Sequence, residues 1–336
     1  PTPAPLPVAA IESARARLDE IESRVESAAA SAASRLRELA RQEASGEHAR
    51  DLVRAVTGML PAVRERLSAL ADLGAAFAGH GPLDAHGMAP DLARRVAPLL
   101  EFLYASWWRV RVHAIGNVPP TGPVVVVANH GGVLPWDALV LRLALQRDHP
   151  AHRDLRPLLD EHALAMPIAG QAARRLGAVA ATPDAAVQLL EAGAVVAVFP
   201  EGSRASTRPW PDRYRIQRFG RGGFVKLALR TGASIVPCAI VGSEETAVPV
   251  ARAGWLSSAL GMPFLRSPPS RPLATLGAVP LPARWSLRFG APIDTAGAGP
   301  AAAGDAARVA DLADRTRRSL QQILDDEVGR RRSVFL

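Results

Sequence analysis

The sequence predicts an α/β fold with a largely parallel central sheet flanked by helices, preceded by an N-terminal helical hairpin or arm. Two observations support this fold class. After Pro123, short apolar runs alternate with stretches of helical spacing, which is typical of strand-helix-strand units. Before residue 78, apolar residues instead recur at helical spacing among charges. The 336 residues are 48% hydrophobic, which is enough for one large domain with or without an appendage.

The N-terminal region, 1–80, is predicted to be helical. Apolar residues follow helical spacing over 8–44 and again over 48–77, with a short break between the two stretches. This pattern favours an antiparallel hairpin or a coiled-coil arm that serves packing, dimerisation or membrane association. A homodimer through these helices is one expectation. The Gly- and Pro-rich segment 78–90 separates this region from an α/β domain over 90–330.

A broad apolar and aromatic surface is predicted just before the sheet, in LLEFLYASWWRVRV (99–112). Two interpretations stay open for it. Trp107 and Trp108, next to arginines, would suit a membrane-interface anchor, or the segment would pack against the sheet. The apolar segment GWLSSALGMPFL (254–265) is equally open, because it would dip into a bilayer, line an acyl-chain tunnel or form a buried loop.

The predicted sheet places two polar residues at one edge. The predicted strands and the helices between them cover 124–129, 136–147, 166–176, 177–181, 183–192, 194–200, 222–231 and 234–242. In open parallel sheets, ligands bind beyond the carboxyl ends of the strands. Because His130 and Glu201 each follow a predicted strand at that end, we expect the functional site there.

The composition favours an anionic partner. The formal net charge is +8, the sequence pI is about 11.0, and Lys226 is the only lysine among the cations. Such a surface attracts nucleic acid, phosphorylated small molecules or the acidic face of a membrane. Only 5% of the residues are aromatic and no zinc-ligand spacing occurs, so we expect no nucleic-acid partner.

The apolar runs do not predict a membrane-spanning helix, since His130 and Asp137 interrupt the most apolar region. The lone Cys238 lies in an apolar run, where it is expected to be a buried core residue in a reducing compartment. The N-terminus lacks a signal-peptide pattern. We therefore expect a cytoplasmic protein that associates peripherally with the inner face of the cell membrane.

Three sequence blocks carry a specific resemblance. NHGGVLPWD (129–137) is followed by FPEGSR (199–204) and then by IVPCAIVG (235–242). In order, spacing and strand-end position, these blocks resemble the glycerolipid acyltransferase superfamily, the lysophospholipid acyltransferase-like enzymes, which carry NHx4D and FPEG motifs. The resemblance covers roughly residues 95–295. Six residues separate the His and Asp here instead of four, which is similar to the NHxGxLPxD variant of bacterial members that resemble monoacylglycerol and diacylglycerol acyltransferases.

The residue types in the first block suit acyl transfer. Moving an acyl group from a thioester to a hydroxyl needs a base, and a histidine with an ordinary pKa of about 6.5 can accept that proton. His130 is the candidate base, and Asp137 would orient it if the loop folds back. Asp137 would otherwise only complement the helix dipole. In the second block, the backbone N–H of Gly202 is expected to stabilise the developing oxyanion.

The second block also supplies candidate substrate contacts. The resemblance implies an acceptor-binding role for Glu201 and Arg204, with Ser203 beside them as a further substrate contact. A structural ion pair between Glu201 and Arg204 is the alternative. Downstream, Arg218 and Arg221 precede a helix expected to start near residue 222, which favours a phosphate site, although an exposed solvated loop is equally open.

The resemblance implies an enzyme that takes acyl-CoA or acyl carrier protein as cosubstrate, with no cofactor and no metal. The expected acceptor is a lipid hydroxyl, as in a lysophospholipid or an acylglycerol. No arginine follows Gly177 as in phosphate-accepting members, which favours a neutral or differently charged lipid. Two alternatives stay open, namely a thioesterase or lipid hydrolase using the same His and Asp, and a non-catalytic lipid-binding protein.

Overall fold

The computed structural model describes residues 82–131, 136–165, 169–202, 205, 208, 210–220, 222–246 and 282–331. The predicted helical region 1–80 and the apolar segment 254–265 lie outside these described residues. The same holds for Ser203, Arg204 and Arg221 of the candidate site.

A single sheet of seven strands forms the centre of the described chain. Its strands are β1 (Arg111–His113), β2 (Val124–Ala128), β3 (Leu155–Leu159), β4 (Val179–Ala180), β5 (Val195–Val198), β6 (Ser234–Val241) and β7 (Ser286–Phe289). Their order across the sheet is β1-β7-β6-β2-β5-β3-β4. Every neighbouring pair is parallel except β6 and β7, so the predicted largely parallel sheet is confirmed.

Helices cover both faces of the sheet. The described α-helices are α1 (Pro90–Phe102), α2 (Trp136–Asp148), α3 (Glu161–Ala165), α4 (Ala169–Arg175), α5 (Pro183–Glu191), α6 (Gly223–Thr231) and α7 (Ala306–Arg330). A π-helical turn, Leu103–Trp107, follows α1 directly, and a 3-10 turn, Ser243–Glu245, follows β6. None of the described helices is long and apolar enough to cross a membrane.

The valine run of β2 is buried on both faces, which explains why it is continuously apolar. Val124, Val126 and Ala128 belong to the apolar cluster under α2, whereas Val125 and Val127 belong to the cluster under α6 and α7. All five residues are fully buried. The site that follows β2 therefore starts from a strand that is buried on both faces.

The aromatic segment before β1 is core, so the packing interpretation is confirmed and the membrane-anchor interpretation is wrong for these side chains. Tyr104, Trp107 and Trp108 are at most 2% exposed. The Trp108 ring lies with its centroid 4.9 Å from that of Trp285 and 5.5 Å from that of Trp136. Trp108 therefore packs against aromatic side chains from distant parts of the sequence.

Candidate active site

Three neighbouring strands end at the same edge of the sheet and carry the polar residues of the site. β2 lies between β6 and β5 and leads to His130. β5 leads to Glu201, and β6 leads to the turn Ser243–Glu245. The structure therefore confirms the expectation that His130 and Glu201 follow strands at the carboxyl edge.

Asn129 fixes the end of β2 before the chain leaves the sheet. Its Nδ2 donates to the carbonyl of Ile240 at 2.8 Å, and its Oδ1 accepts from the Ile240 N–H at 2.7 Å. The side-chain amide thus makes the two hydrogen bonds to β6 that a backbone peptide would make. This frees the backbone to turn, so that His130 stands at the edge with 18% of its side chain exposed.

His130 and Asp137 are in contact despite the six intervening residues. The Nδ1 of His130 lies 2.6 Å from Oδ2 of Asp137, and the N–H of Gly131 donates to the same oxygen at 3.0 Å. Asp137 is buried in the first turn of α2. A carboxylate on Nδ1 holds the proton there and leaves Nε2 as the ring nitrogen that can accept a proton.

The surroundings of His130 favour the imidazolium. Burial lowers the pKa of His130, but the hydrogen bond and charge of Asp137 outweigh it, together with the charges of Glu201 and Glu244. The net result is a pKa above the ordinary value for histidine. The ring of Phe199 covers His130 with its centroid 5.4 Å away.

Glu201 forms a buried ion pair, with Arg208 as its partner. Arg208 also lies 2.5 Å from Oε1 of Glu244, and the three side chains are 0% to 3% exposed. Arg208 is therefore a buried part of the site and does not lie in an exposed, solvated loop. Any contact of Glu201 with Arg204 lies outside the described residues.

The backbone N–H of Gly202, which was expected to stabilise the oxyanion, is hydrogen-bonded within the protein. Gly202 adopts a left-handed conformation with φ of 57°, and its N–H donates to the carbonyl of Phe199 at 3.0 Å. This hydrogen bond closes a tight turn after β5, so the amide is not offered to a substrate oxygen in this conformation. Gly202 shapes the loop here, since a side chain at this φ would be strained.

The predicted phosphate site is described only in part. Arg218 is exposed, and α6 begins at Gly223 after a left-handed Gly222, as the sequence predicted to within one residue. Arg215 forms only a surface pair with Asp212 at 3.5 Å. Phosphate binding by Arg218 and Arg221 stays a prediction.

The turn after β6 is the part of the site that the sequence interpretation missed. A Cβ added at Gly131 would collide with Ser243 Oγ and would lie 2.6 Å from the backbone nitrogen of Glu244. The adjacent Glu245 is buried and pairs with Arg331. The signal available in the sequence was SEET, a polar run directly after a buried strand at the same edge as His130. Among the residues that the structure describes, no three His, Cys, Asp or Glu side chains are grouped as a metal ion would require.

Comparison with known proteins gives one family and a group of relatives. The model of the acyltransferase family matches residues 109–241. An uncharacterized protein of Mycobacterium tuberculosis is 42% identical over 295 residues, which are 87% of this chain and 79% of that protein. An uncharacterized protein of Mycobacterium leprae is 42% identical over 285 residues, which are 84% of this chain and 74% of that protein.

Among solved structures, the chain is similar to the 1-acyl-sn-glycerophosphate (LPA) acyltransferase PlsC of Thermotoga maritima. The TM-score is 0.44 at 18% identity, over 73% of this chain and 84% of that chain.

Proposed function

We propose that the chain moves a fatty acyl group from a thioester donor to a hydroxyl group of a lipid acceptor, because residues 109–241 match the model of the acyltransferase family. The donor is acyl-CoA or acyl carrier protein. The observation that carries the proposal is the 2.6 Å contact between His130 and Asp137 at the carboxyl edge of the sheet. The matched residues 109–241 contain both side chains.

In the proposed reaction, Nε2 of His130 takes the proton of the acceptor hydroxyl as the oxygen attacks the thioester carbonyl. The C–O bond forms and the carbonyl oxygen becomes negatively charged. The C–S bond then breaks, the carbonyl re-forms, and the thiolate takes the proton from the imidazolium to leave as a free thiol. The carboxylate of Asp137 stabilises the imidazolium in the interval, which general-base catalysis of this kind requires.

The remaining site residues have different roles in the proposed reaction. Ser203 and Arg204, which follow β5 in the sequence, are proposed to contact the acceptor. Glu201 is proposed to act from within the protein, because Arg208 and the N–H of Gln217 occupy its Oε1. An oxyanion role for Gly202 requires its turn to open, since its N–H is bonded to Phe199.

A second arginine-rich surface supports an anionic partner, in addition to the proposed phosphate contacts of Arg218 and Arg221. The starts of β1 and β7 lie at the same edge as the end of β6, and they bring Arg109 and Arg111 next to Arg284. Burial lowers the pKa of Arg284, and the neighbouring charges of Arg111 and Arg331 lower it further. Concentrated positive charge at the same edge of the sheet as the site suits the phosphates of a donor or an anionic membrane surface.

The function is tested by incubating the full chain with labelled acyl-CoA and a panel of hydroxyl lipids, followed by mass spectrometry of the products. We expect an acylated lipid from wild type and a loss of about 10²-fold or more in His130→Ala. His86→Ala is the matched control, since His86 lies in the loop before α1 and outside the site. Free fatty acid without acylated lipid would show a hydrolase instead, and full transfer by His130→Ala would remove the proposed base.

Membrane association is tested separately with vesicles. We expect the protein to pellet with phosphatidylglycerol vesicles, to pellet less at high salt, and to stay in solution with phosphatidylcholine vesicles. The double variant Arg111→Ser and Arg284→Ser is expected to weaken pelleting. Equal pelleting with neutral and anionic vesicles would contradict the charge-based contact.

A further inference from the structure

A buried arginine joins the two loops on either side of the strand that carries His130. Arg208 is 1% exposed and contacts Glu201, which follows β5, and Glu244, which follows β6. In the sheet, β5 and β6 are the two neighbours of β2. The planar guanidinium of Arg208 therefore bridges the segments that follow the two flanking strands. Its several N–H donors allow it to bind both carboxylates at once.

The two carboxylates also anchor the chain that passes behind them. Oε1 of Glu201 accepts from the N–H of Gln217 at 2.9 Å, and Oε1 of Glu244 accepts from the N–H of Tyr214 at 3.1 Å. The side chains of Glu201 and Glu244 are only 0% and 3% exposed, so a substrate does not reach them in this conformation. Glu201 and Glu244 therefore affect the reaction through other residues of the protein, and they do not contact the substrate directly.

Three carboxylates of the described residues act on His130. Asp137 contacts its ring, the charges of Glu201 and Glu244 raise its pKa, and the guanidinium of Arg208 bridges these two glutamates. Within the described part of the chain, Oε2 of Glu201 is buried and has no hydrogen-bond partner. Buried negative charge in excess stabilises a positive charge nearby, and the charge that forms here during the reaction is the imidazolium.

We infer that Arg208 is a positioning residue, which holds Glu201 and Glu244 beside His130 and partly neutralises them, so that their charges tune the base. The inference rests on the proposed function only in treating His130 as that base. The substrate does not touch Arg208, which acts through the two carboxylates and the loops they belong to.

The sign of the effect follows from the groups that face His130. These are Asp137 from α2, Glu201 from the loop after β5 and Glu244 from the turn after β6, with the Phe199 ring as an apolar cover. The two glutamates raise the pKa of His130. Removing the positive charge of Arg208, which offsets the two glutamates, should therefore raise the pKa of His130 further. Removing the charge of one glutamate should lower that pKa.

The test is an NMR titration of the histidine ring protons in the full chain, in which His130→Gln identifies the His130 signal. In Arg208→Met the titration midpoint of His130 should move up, and in Glu244→Gln it should move down, each by more than about 0.3 pH unit. Arg142→Met is the matched control, because Arg142 is also buried and pairs with Asp154 at 2.8 Å, but at the opposite edge of the sheet. It should leave the midpoint unchanged.

A conservative variant separates charge from geometry. In Arg208→Lys the charge remains but the fork that bridges two carboxylates is lost. We expect the His130 midpoint to stay near that of wild type, while kcat falls by about 10-fold because the two loops are no longer fixed. Unchanged kcat in this variant would overturn the positioning role.

If Arg208→Met does not fold, the inference is tested with a variant in which Arg208 and both glutamates are replaced by uncharged residues. Glu201→Gln, Arg208→Met and Glu244→Gln together leave no uncompensated charge, and the His130 midpoint should lie below that of wild type. Midpoints equal to wild type in this variant and in Glu244→Gln would overturn the inference. The titration needs no substrate, so wild-type protein that transfers no acyl group would refute the proposed function and still allow the inference to be decided.

Discussion

The close approach of Gly131 to the turn after β6 gives the sharpest prediction. Gly131→Ala adds a Cβ where the backbone nitrogen of Glu244 would lie 2.6 Å away and the carbonyl carbon of Ser243 2.8 Å away. The hydroxyl of Ser243, which the Cβ would also meet, can rotate aside. The two backbone atoms cannot, so the main chain has to move.

The size of that movement follows from the contact distances. Ordinary contacts of a Cβ begin at 3.4 Å, so the two segments must separate by about 0.6 to 0.8 Å. His130 is the residue before Gly131, and a displacement of about 1 Å at a reacting group can lower the rate by about 10²-fold. We therefore expect kcat to fall by about 10²-fold and the free energy of unfolding to fall by about 1 to 3 kcal/mol, the usual cost of overpacking.

The assay is acyl transfer at saturating donor and acceptor, with urea unfolding of the same preparations. Gly116→Ala is the control, because a Cβ at Gly116 would have no atom within 4 Å. It should keep both wild-type kcat and stability. If Gly131→Ala folds and keeps wild-type kcat, the contact between Gly131 and the β6 turn does not position the base.

Three further predictions test other parts of the site and core. In Asp137→Asn, the acid limb of the kcat profile should move to lower pH, because wild-type activity rises as His130 loses its proton and a neutral amide no longer raises the pKa of His130. In the same variant kcat should fall by about 10- to 150-fold, because the lost charge-assisted hydrogen bond contributes about 1.5 to 3 kcal/mol. If the acid limb of the kcat profile stays at the same pH, Asp137 does not raise the pKa of His130. Trp108→Ala should lower the free energy of unfolding in urea by about 3 to 5 kcal/mol, and a cost below about 1 kcal/mol would contradict the aromatic core around Trp108. N-ethylmaleimide should leave the folded protein unlabelled and active, because Cys238 is fully buried and burial raises the pKa of its thiol, whereas rapid labelling would place Cys238 outside the core.

The parts of the fold that the sequence predicted are those that local periodicity determines. The run 124–128 is apolar without interruption because both faces of β2 are buried, and the polar residue after it marks the edge of the sheet. β3 was not predicted, since Arg156 and Pro157 interrupt its apolar pattern. β1 and β7 were missed for a related reason, since each is short and its apolar residues alternate with polar ones.

The pairing of charges could not be predicted in the same way. Glu201 pairs with Arg208, seven positions away, whereas the sequence analysis considered only Arg204, either as its ion-pair partner or as a substrate contact. Glu244 and Glu201 also accept hydrogen bonds from the N–H groups of Tyr214 and Gln217, so the buried cluster depends on contacts between segments that are distant along the chain. The aromatic segment was ambiguous for the same reason, because the rings of Trp136 and Trp285 that pack on Trp108 come from distant parts of the sequence.

The His-Asp pair shows how two separate supports can preserve a contact although the spacing changes. His130 is held from below by Asn129, whose amide is bonded to Ile240 of β6. Asp137 is held by α2, which packs on the same apolar cluster as β2. His130 and Asp137 are thus each fixed through the sheet. The geometry of the His-Asp pair therefore depends on the packing of α2 and β6 more than on the number of residues between His130 and Asp137.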